Sequence, residues 1–191
     1  PPPPPHEALV STSADPAASF SKLIGATAQE VTSDFSPKGA LPIALWEPPL
    51  TDLHGENGAP TRRTVVAETS NLLANLVCSH VRTLAFIKSR RGAETIATIT
   101  RNMVDQFHPT LPDRVAAYRS GYLPAERREL EEQLRNGTLL GVASTSALEL
   151  GIDVAGLDAV LVAGWPGTRA SFFQQIGRAG RAGQDALAVL V

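Results

Sequence analysis

From Thr64 onward, the apolar residues follow two alternating patterns: short runs that are wholly apolar, and longer segments in which apolar residues recur at helical spacing. The wholly apolar runs predict five buried strands. The predicted strands are Thr83–Ile87, Val115–Tyr118, Leu139–Ala143, Ala159–Ala163 and Ala186–Val191. Strands with one solvated face alternate apolar with polar residues, so these runs instead predict an α/β fold with a parallel sheet covered by helices on both faces.

The segments between the strands carry the signals of helix boundaries. Apolar residues at helical spacing predict one helix from Val65 to about His80. Ser89 is the expected N-cap of a second helix over roughly Arg91–Gln106. Pro124 opens a third helix, which Gly137 closes.

Residues 1–63 have a different composition, since 11 of the chain's 15 prolines precede residue 64. We expect one short helix at Asp15–Ile24, one strand at Leu41–Trp46 and a polar loop at Leu50–Arg63. The predicted organisation is an irregular Pro-rich segment over residues 1–63, followed by an α/β domain over residues 64–191.

Polar and charged residues gather where the predicted strands end. They are Ser89-Arg90-Arg91, Tyr118-Arg119-Ser120-Gly121, Ser144-Thr145-Ser146 and the segment Gly164–Arg169. Right-handed crossovers place the carboxyl ends of parallel strands on one edge of the sheet, where ligands of open α/β sheets bind. The sequence therefore predicts a functional site at that edge.

The segment Gln174–Arg181 follows the fourth predicted strand and reads QQIGRAGR. If it is helical, Gln174, Arg178 and Arg181 share one face. A glycine inside a helix costs about 1 kcal/mol relative to alanine, and this segment contains two. Glycines beside guanidiniums that share a face indicate close backbone approach to a phosphate, although a solvated helix face is the alternative.

Composition narrows the possible functions. The net charge is −2, and the basic residues are 14 Arg and 3 Lys. Arginine suits bidentate phosphate contacts, although a GC-rich genome would produce the same skew. The single cysteine, Cys78, excludes an internal disulfide and a cysteine-based zinc site, and the four histidines lack metal-ligand spacing, so no metal site is predicted. No apolar run approaches the roughly 20 residues of a membrane span, and we expect a cytoplasmic protein.

The sequence lacks the parts that would bind and cleave a nucleotide unaided. It contains no Gly-x-x-x-x-Gly-Lys-Ser/Thr phosphate loop, and no predicted strand ends in paired acidic residues that could hold Mg²⁺. Arginines that stabilise phosphoryl transfer are often supplied by a neighbouring domain. We therefore expect this chain to complete an active site held mainly by another lobe.

Four blocks of the sequence resemble one known family. Thr83–Gly92 (TLAFIKSRRG) is similar to helicase motif IV, Tyr118–Gly121 with Arg127 and Glu131 to the block that follows it, Gly141–Asp153 to motif V, and Gln174–Arg181 to motif VI. Over about Thr64–Val191 the chain thus resembles the second RecA-like motor domain of superfamily 2 helicases. In detail it is similar to the bacterial and fungal DNA-repair helicases related to Hrq1 and MrfA, which bear a cysteine-containing C-terminal domain.

The resemblance implies roles for the residues of motifs V and VI. Arg178 and Arg181 would face the γ-phosphate of ATP across a cleft that Gln174 helps to shape. Gly151 and Asp153 would lie near the nucleotide, although Asp153 could instead cap a turn. ATP and Mg²⁺ would be held mainly by a first RecA-like lobe of the same polypeptide. The sequence would then be an excised piece without ATPase activity of its own.

The resemblance also implies a nucleic-acid surface. Thr145 would lie at the backbone of a DNA strand, with Ser89, Arg90 and Arg91 near the same strand. Thr145 could instead be only an N-cap, and Arg90 and Arg91 only a solvated face. Motif VI begins with Gln-Gln rather than Gln-Arg or His-Arg, which leaves the role of Gln175 open.

The function expected from these residues is one half of an ATP-driven DNA helicase or translocase. Translocation without strand separation fits the same motifs. The alternative from another class is a RecA-like module without enzymatic activity that binds nucleic acid or a protein partner.

Overall fold

A computed structural model of the chain describes residues 16–29, 39–53, 58–118, 121–149, 157–180 and 183–191. These residues divide between two compact units, Pro1–Ser36 and Pro37–Val191. The first unit contributes helix α1 (Pro16–Ile24), which ends at Gly25 with a φ of +68°, as predicted. Asp15, with which the expected helix begins, lies outside the described residues.

In the second unit, the apolar runs form a six-stranded parallel sheet within the described residues. The strands are β1 (Ile43–Leu45), β4 (Thr83–Ile87), β5 (Val115–Tyr118), β6 (Gly141–Ser144), β7 (Ala159–Ala163) and β8 (Leu187–Leu190), in the order β1-β8-β7-β4-β6-β5. The five predicted strands are confirmed, with small shifts at the ends of β6 and β8. The strand expected at Leu41–Trp46 becomes β1, which pairs with β8 as a sixth member. The domain boundary at residue 63 stays a prediction.

The polar loop expected at Leu50–Arg63 is corrected by the structure. Its described part forms a short antiparallel pair of strands, β2 (Leu50–Asp52) and β3 (Thr61–Arg62). The Thr51 hydroxyl lies 3.2 Å from the Thr61 carbonyl oxygen, to which it donates across the pair. Neither strand has the alternation of apolar and polar residues that reveals a strand in sequence, because all of their residues are exposed.

Helices cover both faces of the sheet. They are α2 (Val65–Cys78), α3 (Arg90–Phe107), α4 (Pro124–Arg135) and α5 (Arg169–Ile176). The central strand β4 shows the two layers, since buried Ala85 packs in the core with α2 and α3, whereas Leu84 and Phe86 pack in the core with α4 and α5. Burial on both faces is why the strands are wholly apolar in sequence.

Arginines fasten the amino-terminal edge of the sheet. The backbone N–H of Arg82 donates to Asp158 Oδ2 at 2.9 Å, and its Nε lies 3.5 Å from the same oxygen. Arg114 Nε donates to the Thr138 carbonyl at 2.8 Å, and Arg101 Nε to the Val115 carbonyl at 2.8 Å. These guanidiniums are occupied by bonds within the chain.

Candidate functional site

The carboxyl edge of the sheet contains a topological switch point between β4 and β7. The chain leaves β4 through α3 on one face of the sheet and leaves β7 through α5 on the opposite face. Connections that diverge from adjacent parallel strands open a crevice, which is the usual ligand site of such sheets. A pocket of about 370 Å³ lies there, lined by the ends of both strands.

The pocket has apolar walls and a polar side. The end of β4 contributes Phe86, Ile87 and Lys88, and the end of β7 contributes Val162, Ala163 and Gly164. The remaining lining residues are Ser146, Glu149, Pro166, Ser171 and Gln175. Of these lining residues, sequence reasoning had placed only Ser146, Gly164 and Pro166 in the functional edge.

Helix α3 begins beside this pocket and is capped as predicted. The Ser89 hydroxyl accepts the N–H of Gly92 at 2.9 Å. A Cβ on Gly92 would lie 2.6 Å from Ile87 Cδ1 and 2.8 Å from Ser89 Oγ. A larger residue at position 92 would therefore require the Ile87 and Ser89 side chains to shift, so the glycine lets the start of α3 lie close against the end of β4.

The first turn of α3 carries positive charge where the helix dipole disfavours it. Lys88, Arg90 and Arg91 are exposed, and α3 has no acidic residue in its first turn. The N-terminus of a helix carries a partial positive charge, so a cation there is unfavourable by about 0.3–1 kcal/mol. An anion bound at this turn would reverse that cost.

Helix α5 repeats the arrangement on the other side of the switch point. The Thr168 hydroxyl caps it by accepting the N–H of Ser171 at 3.1 Å, and exposed Arg169 is its first residue. The other two helices on the sheet differ, because α2 has Glu68 and α4 has Glu126 in the first turn. Among these four helices, the two without an acidic residue in the first turn are thus α3 and α5, which follow the strands that line the crevice.

Aromatic residues pack around the start of α5. The Phe172 side chain is 7% exposed, and its ring centroid lies 5.5 Å from that of Trp165 and 5.7 Å from that of Phe173. Phe172 is therefore a packing residue. Trp165 and Phe173 remain 46% and 57% exposed.

The single helix expected over Gln174–Arg181 is not formed. Helix α5 ends at Ile176 with Gly177 as its C-cap, and Gly180 adopts a left-handed φ of +76°. The Gly180 N–H donates to the Leu157 carbonyl at 2.9 Å, so the chain turns away to form a bridge instead of continuing the helix. Arg181 lies outside the described residues, and Gln174 is half-buried in the last turn of α5.

Arg178 occupies the turn after α5 and is half-buried. Its Nη2 donates to the backbone carbonyl of Glu149, and its backbone N–H donates to the Gln175 carbonyl at 3.1 Å. Burial lowers the pKa of the guanidinium, and the nearby Glu149 carboxylate opposes that shift. Arginine's ordinary pKa is so high that the side chain stays charged at neutral pH.

The Glu149 carboxylate lies against α5. Its Oε2 accepts Ser171 Oγ at 2.9 Å and Gln175 Nε2 at 3.2 Å. Ser171 and Gln175 are four residues apart and so share a helix face. Arg178 therefore continues the face of α5 that carries Ser171 and Gln175. In the sequence, the four-residue spacing of Ser171 and Gln175, together with a glutamate in the motif V block, could have indicated this face.

The remaining predicted site residues of the motif V block are Thr145, Gly151 and Asp153. Thr145 is only 7% exposed, and its hydroxyl accepts the Ala147 N–H at 3.4 Å, capping a single 3₁₀ turn (Ser146–Leu148). Its contact with nucleic acid stays a prediction. Gly151 and Asp153 lie outside the described residues.

The block between motifs IV and V is linked through one phenol. The Tyr118 hydroxyl donates to Glu131 Oε1 at 2.7 Å and accepts from Arg127 Nε at 3.2 Å. These bonds join β5 to α4, so Arg127 and Glu131 have a structural role. Arg119 and Ser120 lie outside the described residues.

The described residues contain no group of three or more His, Cys, Asp or Glu side chains arranged to hold a metal ion. No helix in the described part of the chain is both long and apolar enough to cross a bilayer.

Known proteins are similar to this chain in sequence and in fold. Residues 64–183 match the model of the helicase conserved C-terminal domain. The ATP-dependent helicase HRQ1 of Saccharomyces cerevisiae is 40% identical over 162 residues, which are 84% of this chain and 15% of that protein. The crystal structure of the DUF1998 helicase MrfA bound to DNA and AMPPNP matches with a TM-score of 0.84 and 35% identity, over 93% of this chain and 24% of that one.

A more distant structure is that of the Mycobacterium smegmatis helicase Lhr bound to ssDNA and AMP-PNP. It matches with a TM-score of 0.65 and 26% identity, over 81% of this chain and 19% of that one. The chain therefore spans less than a quarter of the length of each of these relatives.

The family match covers more than half of the chain, and the parallel sheet with its helices confirms the predicted RecA-like α/β fold. The chain belongs to the helicase conserved C-terminal domain family and is a superfamily 2 C-terminal lobe of the Hrq1 and MrfA type.

Proposed function

We propose that this chain is the second motor lobe of an ATP-dependent superfamily 2 DNA helicase or translocase. The observation that carries the proposal is Arg178, a charged side chain held half-buried beside the crevice at the carboxyl edge of the sheet. The family to which the chain belongs supports the same function, and so do the names of its relatives, which are ATP-dependent helicases.

Arg178 and Arg181 supply positive charge to the γ-phosphate of ATP bound by a first RecA-like lobe. A guanidinium fixed before the reaction stabilises charge that develops during phosphoryl transfer without reorganising at that moment. Two backbone anchors limit the motion of Arg178, since its own N–H and its guanidinium both donate to backbone carbonyls. Gln174 shapes the same cleft.

The first lobe holds most of the nucleotide and the Mg²⁺ ion. This chain has no phosphate loop in its sequence, and its described residues offer no metal-binding group. Gly151 and Asp153 contribute from the motif V side. In this proposal the lobe contacts the phosphate end of the nucleotide through the Arg178 guanidinium.

The exposed first turn of α3 grips the backbone of a DNA strand. The Ser89 cap, Arg90 and Arg91 present positive charge and backbone N–H groups at one helix N-terminus, an arrangement that suits phosphate contacts without sequence preference. Thr145 lies on the next loop of the same edge. The structure of MrfA contains bound DNA and that of Lhr contains bound ssDNA, which supports a single strand as the ligand. DNA repair as the pathway and the cytoplasm as the compartment stay predictions from the sequence.

Replacing the guanidinium tests the proposal. In the full-length protein, Arg178→Ala should lower the rate of ATP turnover by about 10³-fold or more, the magnitude typical of a lost arginine finger. DNA affinity without nucleotide should change by less than about threefold, because Arg178 does not contact the strand in this proposal. Turnover is measured with saturating DNA, and affinity by fluorescence anisotropy with a labelled single strand.

Arg128→Ala is the matched control, since Arg128 is an exposed arginine on α4, away from the crevice. Its turnover should equal that of the unmodified protein. If Arg178→Ala also turns over ATP at the normal rate, the motor function proposed for this lobe is wrong, and a RecA-like binding module without enzymatic activity becomes the better description.

A further inference from the structure

We propose that Glu149 is the positioning residue for Arg178, and that Gln175 and Ser171 act by holding the Glu149 carboxylate. The inference rests on the proposed function, since it assigns to Arg178 the contact with the phosphate. It gives a role to Gln175, which the motif pattern left open, and to a glutamate that the motif pattern did not single out.

Glu149 connects two segments that the fold brings together from different strands. Its carboxylate binds α5, the helix that follows β7, through Ser171 Oγ at 2.9 Å and Gln175 Nε2 at 3.2 Å. Its backbone carbonyl accepts the Arg178 guanidinium. Glu149 itself belongs to the loop after β6, where its N–H donates to the Ser146 carbonyl at 3.0 Å.

The bonds among these residues close a ring. The Arg178 guanidinium donates to the Glu149 carbonyl, the Glu149 carboxylate accepts the Gln175 amide, and the Gln175 carbonyl accepts the Arg178 N–H at 3.1 Å. A displacement of the Glu149 side chain therefore moves the carbonyl that orients the guanidinium. Arginine has four rotatable side-chain bonds, so fixing its far end from a second segment restricts it more than its own backbone can.

Burial strengthens this ring and makes it costly to open. Gln175 is 5% exposed, so its amide has little water to replace the Glu149 carboxylate. The Gln175 Oε1 atom is buried without a hydrogen-bond partner among the described residues. A helix that needed only to pack would be more stable with an apolar residue here, which indicates that the amide is kept for its bond to Glu149.

A conservative variant at Glu149 is informative. In Glu149→Gln, the amide oxygen can take the place of Oε2, which accepts both Ser171 Oγ and Gln175 Nε2. The ring then survives without the charge, whereas Glu149→Ala removes it.

The test compares ATP turnover in the full-length protein. Glu149→Ala and Gln175→Ala should lower kcat by about ten- to a hundredfold, the cost of a group misplaced by about 1 Å. The KM for ATP and the DNA affinity should stay within about threefold, because neither residue binds a ligand in this proposal. Glu149→Gln should retain kcat within about threefold. A merely structural role would instead lower the Tm without this split between kcat and KM.

The chain offers a matched control on α4. Gln133 Nε2 donates to Glu129 Oε1 at 3.2 Å, which is the same kind of amide–carboxylate pair on an exposed helix face away from the crevice. Gln133→Ala should leave kcat unchanged. If it lowers kcat as much as Gln175→Ala does, the effect is not specific to the ring, and the inference fails.

A second background separates this inference from the function on which it rests. In Arg178→Lys, where the guanidinium is gone but the charge remains, adding Glu149→Ala should lower kcat by less than about twofold. An undiminished loss there means that Glu149 acts without Arg178 and overturns the positioning role. Normal turnover in Arg178→Ala refutes the proposed function itself. Lost turnover in Arg178→Ala with normal kcat in Glu149→Ala and Gln175→Ala refutes only the positioning role.

Discussion

The two edges of one sheet use arginine in opposite ways. At the amino edge, Arg82, Arg101 and Arg114 each bond to a carboxylate or carbonyl of the chain. At the carboxyl edge, Arg91 and Arg169 are exposed and have no side-chain partner among the described residues. Among these five arginines, the three at the amino edge hold neighbouring segments together, and the two at the carboxyl edge are left for a ligand.

These two exposed arginines of the carboxyl edge lie beside the crevice and not along the whole edge. The carboxyl end of β5 lies on the same edge, away from the switch point, and there Arg127 is bonded to Tyr118 within the chain. At the start of α4, Glu126 accepts the Leu123 N–H at 2.8 Å, an ordinary helix cap. Exposed arginines thus begin the helices that follow β4 and β7, as a phosphate-binding crevice requires, whereas Arg127 beside β5 is bonded within the chain.

The largest expected effect comes from removing the exposed arginines of α3. The double variant Arg90→Ala/Arg91→Ala in the full-length protein should weaken single-stranded DNA binding by about ten- to a hundredfold at moderate salt. The slope of log Kd against log salt should fall by roughly 1.4, at ~0.7 per lost phosphate contact. Anisotropy titrations over a range of salt concentrations measure both quantities.

Arg114→Ala is the control from the amino edge, because it removes one charge from a guanidinium that is already bonded to the Thr138 carbonyl. Its salt slope should match that of the unmodified protein. A drop in its slope of roughly 0.7, in proportion to the one charge removed, would show that binding senses only the net charge, and the comparison between the edges would lose its meaning.

The next effect is on stability and belongs to the amino edge. Asp158→Ala removes the acceptor of both the Arg82 N–H and its guanidinium. The free energy of unfolding should fall by about 1–2 kcal/mol, the cost of leaving a partly buried donor unpaired. Urea unfolding followed by circular dichroism measures it. Asp105→Ala, at an exposed position on α3, should change stability by less than about 0.5 kcal/mol.

Sequence reasoning found the sheet because its information is local. A strand buried on both faces must be apolar along its whole length, so β4 and β7 are visible in the sequence without knowing their partners. Ser89 and Arg90 could be placed at the carboxyl edge for the same reason, since they directly follow β4. The exposed strands β2 and β3 leave no such pattern, and they were missed.

The parts of the site that were missed depend on contacts between distant segments. The end of α5 is set by the bridge between Leu157 and Ala179, so residue spacing within QQIGRAGR could not show that the helix stops at Ile176. Which helix face leads to Arg178 depends on where the loop after β6 lies. Gln174 and Gln175 are equivalent by residue type, and the fold distinguishes them by burying Gln175 in contact with Glu149.

A smaller effect concerns Tyr118 at the carboxyl end of β5, where the side chains are bonded to one another. Burial and the hydrogen bond to Glu131 raise the pKa of Tyr118, while its contact with Arg127 opposes the shift. A group whose pKa is higher in the folded state contributes stability that is complete below its unfolded pKa and is lost as pH rises through the folded pKa. Stability should therefore decline above about pH 10, the ordinary value for tyrosine.

Tyr118→Phe checks this assignment. The variant should lose about 1 kcal/mol of stability at neutral pH, because Glu131 loses a donor. Its stability relative to the unmodified chain should improve above pH 10, where the phenol no longer helps. Urea unfolding at pH 7 and at pH 10.5 gives the difference. A constant difference between the two pH values would show that ionisation of Tyr118 is not coupled to folding.

The smallest effect is the most direct test of the comparison, because stability and binding should move in opposite directions. Arg91→Glu places an acidic residue in the first turn of α3, where the helix dipole favours it. The chain should gain about 0.3–1 kcal/mol in its free energy of unfolding, while DNA affinity falls. At α4 the reverse change, Glu126→Arg, removes the bond to the Leu123 N–H and should only destabilise. If Arg91→Glu leaves stability unchanged or lowers it, then the arginines at the crevice cost the fold nothing, and their position gives no evidence that a ligand compensates for them.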